Sequence, residues 1–447
     1  MKKMLVMEFN ELSPSLVEQF IDEGVLPNFA LLRDASITME TETDATGEAL
    51  NPWVQWFDIH TGIDWDQHNI RGLNSLKDFE GKFLWDTLSE KFGLKNWICG
   101  SMNAKYSENF KGRFLPDPWC TDVKPSHNDG MLNYYKYVSQ SVQSHSGAGT
   151  ISQSDFAKSL FQQGVSFKTF VSLLGQLYRE KVLKKDDWKR AMCLDRIQLD
   201  VFKHYYNKEQ PQFCTFFSNA VAHFQHHYWS DFEPEKFGHI KDKANSDKAN
   251  AIREAYKNTD YLVGELRDLV GEDTAILFTT GLSQEPYVKN ERHYYHIKSD
   301  VRFFEKFNIP QNTKYKPIMA QQFYLEMPDE ASAIQLEEEL GHYVLDSMEY
   351  FHEGANKLFM ISRNNRTLSV SCRCTKLVKN EALYFSEKSP TEKYVFSDIF
   401  YRMKEAKTGM HNPVGLYWLK SREESLQTHK NRVRPSQIHH DIVEFFT

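Results

Sequence analysis

The stretch Met4-Leu-Val-Met-Glu-Phe-Asn-Glu-Leu-Ser-Pro14 decides the fold class. Its first part, Met4–Phe9, is mostly apolar and predicts a short buried strand. Ser13 followed by Pro14 is typical of a helix start, because serine at the N-cap accepts a backbone hydrogen bond and proline suits the first helical position. The helix is expected to run to about Glu23. A strand, a turn and a helix in this order are the entry to an α/β sheet.

Strand and helix patterns alternate further along the chain. The predicted segments are helix Phe83–Lys91, strand Asn96–Gly100, strand Phe213–Asn219, helix Ala251–Val270 and strand Thr274–Thr280. We therefore expect a mostly parallel sheet with helices on both of its faces.

Two segments depart from this alternation. Residues 143–207 are predicted to be a helical insertion, entered through the Ser- and Gly-rich linker Ser144–Ser154. Residues 317–405 are predicted to be a small α+β cap. The predicted elements are helices Asp155–Gln163, Phe167–Lys181, Asp186–Tyr206 and Ala331–Phe351, and a hairpin of Lys357–Arg363 and Thr367–Cys374. The core then comprises 1–142, 208–316 and 406–447.

Composition limits the classes of partner. The formal net charge of -7 is mild for 447 residues and gives no electrostatic reason to expect nucleic acid or an anionic membrane. The apolar run Met4–Met7 is too short for a signal peptide, and no run approaches the ~20 residues that a membrane span requires. Of the six cysteines only Cys372 and Cys374 are close in sequence, a usage that suits a reducing cytoplasm. We expect a cytoplasmic protein, while the oligomeric state is not indicated.

Chemistry-bearing residues cluster in two of the core segments. Three histidines, His223, His226 and His227, fall within five residues, and His223 and His226 share one face of a helix. Glu8 and Glu11 flank the end of the first strand. These two carboxylates either bind a metal ion or interact with the dipole of the following helix.

Four segments carry a further signal: Met4–Pro14, Asn51–Ile70, Ser218–Pro286 and Gly409–Leu419. Their order and spacing resemble the alkaline phosphatase superfamily, in particular its type I phosphodiesterase and nucleotide pyrophosphatase branch. The most specific match is Thr61–Ile70 within the second segment, which reproduces the family's Thr-Gly and His spacing. The resemblance implies an alkaline-phosphatase-like α/β fold.

The same resemblance indicates a depleted metal centre. Of the positions that bind metal in the family, His226 and His411 are retained. Asn10 stands where the family has aspartate, while Ala222, Gly281 and Leu282 replace side chains that bind metal. The nucleophile position holds Pro52 beside Asn51, and neither supplies a hydroxyl group.

The predicted site follows from these matches. A single zinc or manganese ion, or no metal, is expected on His226, His411 and His223, with Glu8 or Glu285 as alternatives for the third ligand. The predicted catalytic residues are His226, His223 and, if the loop is remodelled, Thr46, with Thr43 as the alternative threonine. The predicted substrate-binding residues are Glu8, Asn10, Glu11, Asn51, Gln55, Ser283 and Gln284.

These residues favour a divergent phosphodiesterase or phosphatase-like enzyme. Its substrate is expected to be a phosphorylated or otherwise anionic small molecule, such as a nucleotide-sugar or a surface-polysaccharide intermediate. The alternative is a catalytically inactive protein of the same fold that binds a ligand or another protein. The helical insertion offers aromatic residues for such a protein contact, although core packing explains them more simply. These residues are Phe156, Phe161, Phe167 and Phe170.

Overall fold

The computed structural model describes residues 2–68, 70, 72–73, 76, 79–120, 122–142, 153–237, 247–288, 293–317, 322–352, 356–403, 407–421 and 432–447. These residues form two compact units. The first takes the described parts of 1–142, 148–287 and 408–447, and the second takes those of 288–407.

The strands, in chain order, are β1 (Met4–Phe9), β2 (Ile37–Glu42), β3 (Asn96–Cys99), β4 (Gly112–Leu115), β5 (Phe213–Ser218), β6 (Ala275–Thr279), β7 (Ser283–Pro286), β8 (Tyr295–Ile297), β9 (Lys314–Pro317), β10 (Phe323–Glu326), β11 (Tyr343–Leu345), β12 (Phe359–Asn364), β13 (Thr367–Cys372), β14 (Leu383–Ser386), β15 (Ser389–Val395), β16 (Phe400–Arg402), β17 (Gly409–Asn412), β18 (Val414–Lys420) and β19 (Arg432–Val433). The helices, in the same order, are α1 (Pro14–Asp22), α2 (Pro27–Asp34), α3 (Pro52–Thr61), α4 (Trp65–His68), α5 (Leu84–Phe92), α6 (Met131–Val142), α7 (Gln153–Gln162), α8 (Phe167–Lys181), α9 (Arg190–Glu209), α10 (Ala220–Phe232), α11 (Ala251–Val270), α12 (Asp300–Lys306), α13 (Glu330–Gly341), α14 (Phe396–Ile399) and α15 (Gln437–Phe446).

An eight-stranded sheet forms the centre of the first unit, in the order β19-β2-β18-β6-β1-β5-β3-β4. Strand β1 is parallel to both of its neighbours, β5 and β6, and β3 and β4 continue the parallel part. Strand β18 runs antiparallel to β6 and β2. The carboxyl ends of β1, β5 and β6 therefore lie side by side at one edge of the sheet.

Both faces of this sheet are covered by helices. Leu5, Met7 and Phe9 point into an apolar core that includes residues of α1, α2, α9, α10 and α11. Glu8 alternates with them and points to the opposite face, where it contacts His60 of α3. The prediction of a mostly parallel α/β sheet with helices on both faces is confirmed.

The predicted helical insertion forms α7, α8 and α9, which group with the first unit. The predicted linker Ser144–Ser154 lies outside the described residues up to residue 152. Helix α8 has the bounds that the apolar spacing predicted, whereas α9 starts at Arg190 because Asp187–Lys189 form a short 3-10 turn before it.

The second unit has its own apolar core around Phe303, Phe307 and Phe359. It contains a four-stranded sheet in the order β12-β13-β10-β9 and a three-stranded sheet in the order β11-β14-β15. The predicted hairpin forms as β12 and β13. The predicted helix Ala331–Phe351 is wrong in extent, since α13 ends at Gly341 and the chain continues into strand β11, which pairs with β14.

None of the six cysteines, all within the described part of the chain, is in a disulfide. Among the described residues no helix has both the length and the apolarity that a membrane crossing requires.

Candidate metal centre

Three segments that follow neighbouring strands meet at the carboxyl edge of the sheet. Asn10 and Glu11 follow β1, Asn219 follows β5, and Gly281 follows β6 after one residue. Backbone hydrogen bonds join the first two strand ends, since the Asn10 N–H donates to the Ser218 carbonyl at 2.9 Å. This edge is where open α/β sheets bind their ligands.

Glu11 is held at this edge in an unusual backbone conformation. Its φ is +61°, in the left-handed region that a residue with a Cβ adopts only at a cost of about 1–3 kcal/mol. The Glu11 carbonyl accepts from Gln225 Nε2 at 2.7 Å, and Tyr256 donates to Gln225 Oε1 at 2.7 Å. The side chain is buried. The surrounding hydrogen bonds thus fix a strained residue whose carboxylate lies at the strand end.

His226 comes from α10, the helix that follows β5. Its Nδ1 lies 2.9 Å from the Gly409 carbonyl oxygen, which only accepts, so Nδ1 carries the proton. Its Nε2 lies 3.2 Å from Glu11 Oε2. The helix therefore presents the Nε2 atom of His226 toward the carboxylate.

His411 comes from β17, which pairs antiparallel with β7 and places His411 opposite Gln284. Its Nδ1 lies 2.8 Å from the Leu50 carbonyl oxygen, and its Nε2 lies 3.4 Å from Glu11 Oε2. The two imidazole rings have centroids 5.2 Å apart. Both histidines thus use Nδ1 for a backbone carbonyl and Nε2 for the carboxylate.

The three side chains have the spacing that a shared metal ion requires. Their ligand atoms lie within 4.8 Å of one another, and within the described residues this is the one such group of three or more His, Cys, Asp or Glu side chains. Bonds of about 2.0–2.2 Å at tetrahedral angles hold ligand atoms roughly 3.3–3.6 Å apart. The N···O distances of 3.2 and 3.4 Å match this spacing. A backbone acceptor on the second ring nitrogen is also usual for histidines that bind metal.

Two amide side chains support the carboxylate. Asn10 Nδ2 donates to Glu11 Oε1 at 2.9 Å, and Gln284 Nε2 donates to Glu11 Oε2. Burial acts to raise the pKa of Glu11, but the charges of His411 and His226 and their hydrogen bonds hold it well below its usual value. The carboxylate is therefore ionised at neutral pH, as a metal ligand must be.

Asn10 is further fixed by an aromatic side chain. Trp56 Nε1 donates to Asn10 Oδ1 at 2.7 Å, and Asn10 Nδ2 also donates to Asn219 Oδ1 at 2.7 Å. The Trp56 ring lies 3.3 Å from the point where a Cβ on Gly281 would stand. The indole ring of Trp56 thus contacts Asn10 and lies beside Gly281.

Glu8 is placed away from the cluster. Its carboxylate is fully buried on the other face of the sheet, with Oε1 2.9 Å from His60 Nε2. Strand alternation explains the difference, because Glu8 belongs to β1 itself whereas Glu11 follows the strand after a turn.

The loop before α3 is organised by two predicted site residues. Asn51 is the N-cap of α3, accepting from Val54 N at 3.2 Å, and Gln55 bridges the Asn51 N–H and the Ala49 carbonyl. Their side chains therefore shape the loop that carries the Leu50 carbonyl, the acceptor for His411. Thr46 is exposed at the start of this loop.

The remaining predicted residues divide by strand and helix face. Ser283 is buried in β7, opposite Asn412, while the exposed Glu285 accepts from Asn412 Nδ2 at 3.0 Å and lies outside the cluster. His223 is also outside it, with its ring 4.8 Å from the ring of His227.

The sequence predicts Glu11 as a substrate-binding residue and, together with Glu8, as an alternative to the missing metal-binding aspartate, while the named metal ligands are His226, His411 and His223. The position of Glu11 could have indicated a ligand, because Glu11 is the second residue after β1, a strand in the middle of the sheet. The His60 partner of Glu8 and the Trp56 donor to Asn10 were also missed. Each pairing joins residues more than 40 positions apart, and no local pattern marks it.

No protein-family model matches the chain, and no curated protein matches it. Among solved structures, phosphonoacetate hydrolase from Sinorhizobium meliloti 1021 in complex with phosphonoformate matches with a TM-score of 0.45 and 10% identity, over 100% of this chain and 96% of that chain. Human ectonucleotide pyrophosphatase/phosphodiesterase 5 matches with a TM-score of 0.43 and 9% identity, over 100% and 95%.

Proposed function

We propose that this chain is a hydrolase that holds one divalent cation, zinc or manganese, on Glu11, His226 and His411. The substrate would be a phosphorylated or otherwise anionic small molecule, a class that includes nucleotide-sugars and intermediates of surface polysaccharides. One observation carries the proposal: Glu11 Oε2 lies 3.2 Å from His226 Nε2 and 3.4 Å from His411 Nε2.

A cation suits this arrangement of ligand atoms. Both Nδ1 atoms donate their protons to backbone carbonyls, so each Nε2 is the ring atom that can bind a cation, and both Nε2 atoms lie beside one carboxylate oxygen of Glu11. One divalent cation satisfies all three ligands at once.

The residues of the chain have separable roles in this proposal. His226 and His411 offer their Nε2 atoms, Glu11 offers Oε2, and Asn10 and Gln284 keep the carboxylate in place. A cation bound there supplies charge that stabilises a developing anion and acidity toward a water molecule. Three protein ligands leave a fourth position for substrate, and the side chains of His226 and His411 are 14% and 20% exposed.

A second metal ion is not part of the proposal. The side-chain oxygen of Asn10 accepts a hydrogen bond from Trp56. Gly281 and the buried Leu282 have no side-chain atom that could bind a metal ion. With Pro52 at the family's nucleophile position, water is the expected nucleophile, and Thr46 is kept as the candidate hydroxyl group. His223, one turn before His226, is the candidate for moving a proton.

The alternative is a protein that binds an anionic ligand without turning it over. The specific observation that favours it is the absence of a side-chain hydroxyl at Pro52 and Asn51, where the family places its nucleophile. In this alternative the cation and the ligand bind as above, but no bond is broken.

The test begins with elemental analysis of protein purified without chelator, for the wild type and for Glu11→Gln, His226→Ala, His411→Ala and His223→Ala. We expect about one zinc or manganese per chain, little in the first three variants, and wild-type content in His223→Ala, the matched control on the same helix. Equal metal content in all five samples, or none in the wild type, would refute the metal site.

All five samples are then tested for hydrolysis of chromogenic phosphomonoesters and phosphodiesters. Turnover that disappears with the metal in His411→Ala supports the hydrolase. Metal-dependent binding of a nucleotide without turnover supports the alternative.

A further inference from the structure

Helix α8 exposes its apolar face and buries its polar one. Phe167, Val171, Leu174 and Tyr178, spaced three or four residues apart on one side, are 74, 49, 51 and 56% exposed. On the opposite side Gln176 and Glu180 are buried. An ordinary surface helix of a globular protein has the reverse orientation.

The buried side of α8 is held by polar contacts. Gln176 Nε2 donates to Glu180 Oε1 at 3.0 Å and to the Asp186 carbonyl, and Arg190 forms an ion pair with Glu180. These contacts anchor the helix by its polar face. Because these hydrogen bonds and the ion pair hold the polar side of α8 inward, the apolar side faces outward.

Exposed apolar residues on α8 and next to it in the chain form a set that we call the outer helix face. It comprises Phe161, Phe167, Val171, Leu174, Leu177, Tyr178, Val182 and Leu183. These eight are nearly half of the 17 large apolar side chains that are exposed within the described residues, yet they lie within 23 positions. Such concentration marks a contact surface, because singly scattered apolar residues are ordinary and clusters are not.

Basic residues border this surface. Lys168, Arg179, Lys181, Lys184 and Lys185 are all exposed. The one acidic residue between 161 and 185, Glu180, is buried and paired with Arg190. The outer helix face thus combines aromatic and aliphatic side chains with exposed positive charge, and the first exposed acidic residue after it is Asp187.

We propose that the outer helix face docks the protein on an anionic lipid bilayer, with α8 lying in the plane of the membrane surface. Apolar side chains would enter the headgroup boundary, and the lysines and arginine would contact lipid phosphates. A second copy of the chain fits this surface less well, since two basic surfaces would face each other. The net charge of -7 is a sum over the whole chain, so it does not indicate a local basic surface such as this one.

Flotation of the full chain with vesicles tests the proposal. We expect binding to phosphatidylcholine vesicles that contain about 30% phosphatidylglycerol, weaker binding to pure phosphatidylcholine, and a decrease as salt is raised. Leu174→Glu and the pair Lys184→Glu/Lys185→Glu should each lower the bound fraction by about tenfold or more. The matched control is Leu31→Glu, an exposed leucine (56%) on α2, which should float like the wild type.

Circular dichroism and gel filtration confirm that each variant is folded. Failure of the wild type to float with anionic vesicles, or equal effects of Leu174→Glu and Leu31→Glu, would overturn the proposal. A stable dimer that Leu174→Glu dissociates, without vesicle binding, would instead assign the surface to a second copy.

Discussion

His226 and His411 each donate a hydrogen bond from Nδ1 to a backbone carbonyl, and this bond determines the chemistry of the other ring nitrogen. Because Nδ1 carries a proton, Nε2 is the atom that can bind a cation or a second proton. The carboxylate of Glu11, a residue with a left-handed backbone conformation, lies beside both Nε2 atoms. The strain at Glu11 therefore serves to place one carboxylate oxygen between two imidazoles.

A substitution at Trp56 measures how much its hydrogen bond to Asn10 contributes to stability. Trp56→Phe removes the donor to Asn10 Oδ1 and leaves a buried oxygen without a partner, so we expect a loss of about 1–3 kcal/mol in the free energy of unfolding. Trp65→Phe is the matched control, because it removes an indole hydrogen bond to Asp44 at the exposed surface. Urea unfolding monitored by circular dichroism measures both, and equal losses would show that the buried bond to Asn10 contributes nothing special.

Asp195 predicts a pH dependence of stability. Burial raises its pKa to about 7, opposed by the hydrogen bond that Ser218 donates to it at 2.8 Å. A carboxyl group with a raised pKa binds its proton more tightly in the folded state, so stability is full below about pH 4 and falls as pH rises to about 7. At about 1.4 kcal/mol per pKa unit the loss is at most about 4 kcal/mol.

Asp195→Asn should make this decrease smaller, since the amide stays neutral. A similar contribution from Asp117, whose pKa burial also raises to about 7, would remain. Urea unfolding at pH 5 and pH 8 gives the slope for each protein. A variant with the same slope as the wild type would contradict the assignment.

At the level of helices and strands, the site depends on how the β7–β17 ribbon sits on α10. Gly409 is at the contact, because a Cβ there would stand 2.4 Å from the Gln225 carbonyl oxygen and 2.5 Å from Gln284 Oε1. The Gly409 carbonyl also accepts from His226. One backbone position thus joins the ribbon, the helix and a metal ligand.

Gly409→Ala should therefore weaken the metal site without changing a ligand. We expect a loss of zinc affinity of about 10–100-fold, the usual effect of disturbing the partners of metal ligands. Gly341→Ala is the control, since a Cβ there meets nothing within 4 Å. Zinc titration against a chelating dye measures both, and a Gly409→Ala affinity equal to that of the control would exclude this role for the contact.

Across the whole chain, one cation would join three segments that are distant in sequence, around positions 11, 226 and 411. All three belong to the first unit. A ligand that binds only the folded state stabilises it by about 2.7 kcal/mol at a concentration of about 100 times the Kd. We expect bound cation to slow backbone opening mainly in the segments that contain Glu11, His226 and His411.

Hydrogen exchange with and without zinc tests this. Peptides from Met4–Leu16, from α10 and from β17–β18 should gain protection, whereas peptides from β12 and β13 in the second unit should not change. Protection that rises equally in both units would show that zinc acts elsewhere, and His411→Ala should abolish the gain in the first unit.

Much of the sheet could be predicted from sequence because its signals are local. The apolar run Met4–Phe9, the Ser13-Pro14 helix start and the strand before Thr280 each follow from neighbouring residues. The extent of α13 was mispredicted, since pairing of β11 with β14, about 40 residues later, overrides helix propensity after Gly341.

The sequence by itself determined the α/β sheet, its helices and the presence of His226 and His411 near the carboxyl ends of the strands. Only the tertiary structure decided that Glu11, rather than Glu8, Glu285 or His223, completes their cluster, and that α8 turns its apolar face outward. Both depend on hydrogen bonds between residues that no sequence period relates: carbonyls of Leu50 and Gly409 orient the histidines, and Arg190 holds Glu180 inward. Strand and helix periods specify which face a side chain occupies, whereas long-range partners specify what that side chain meets.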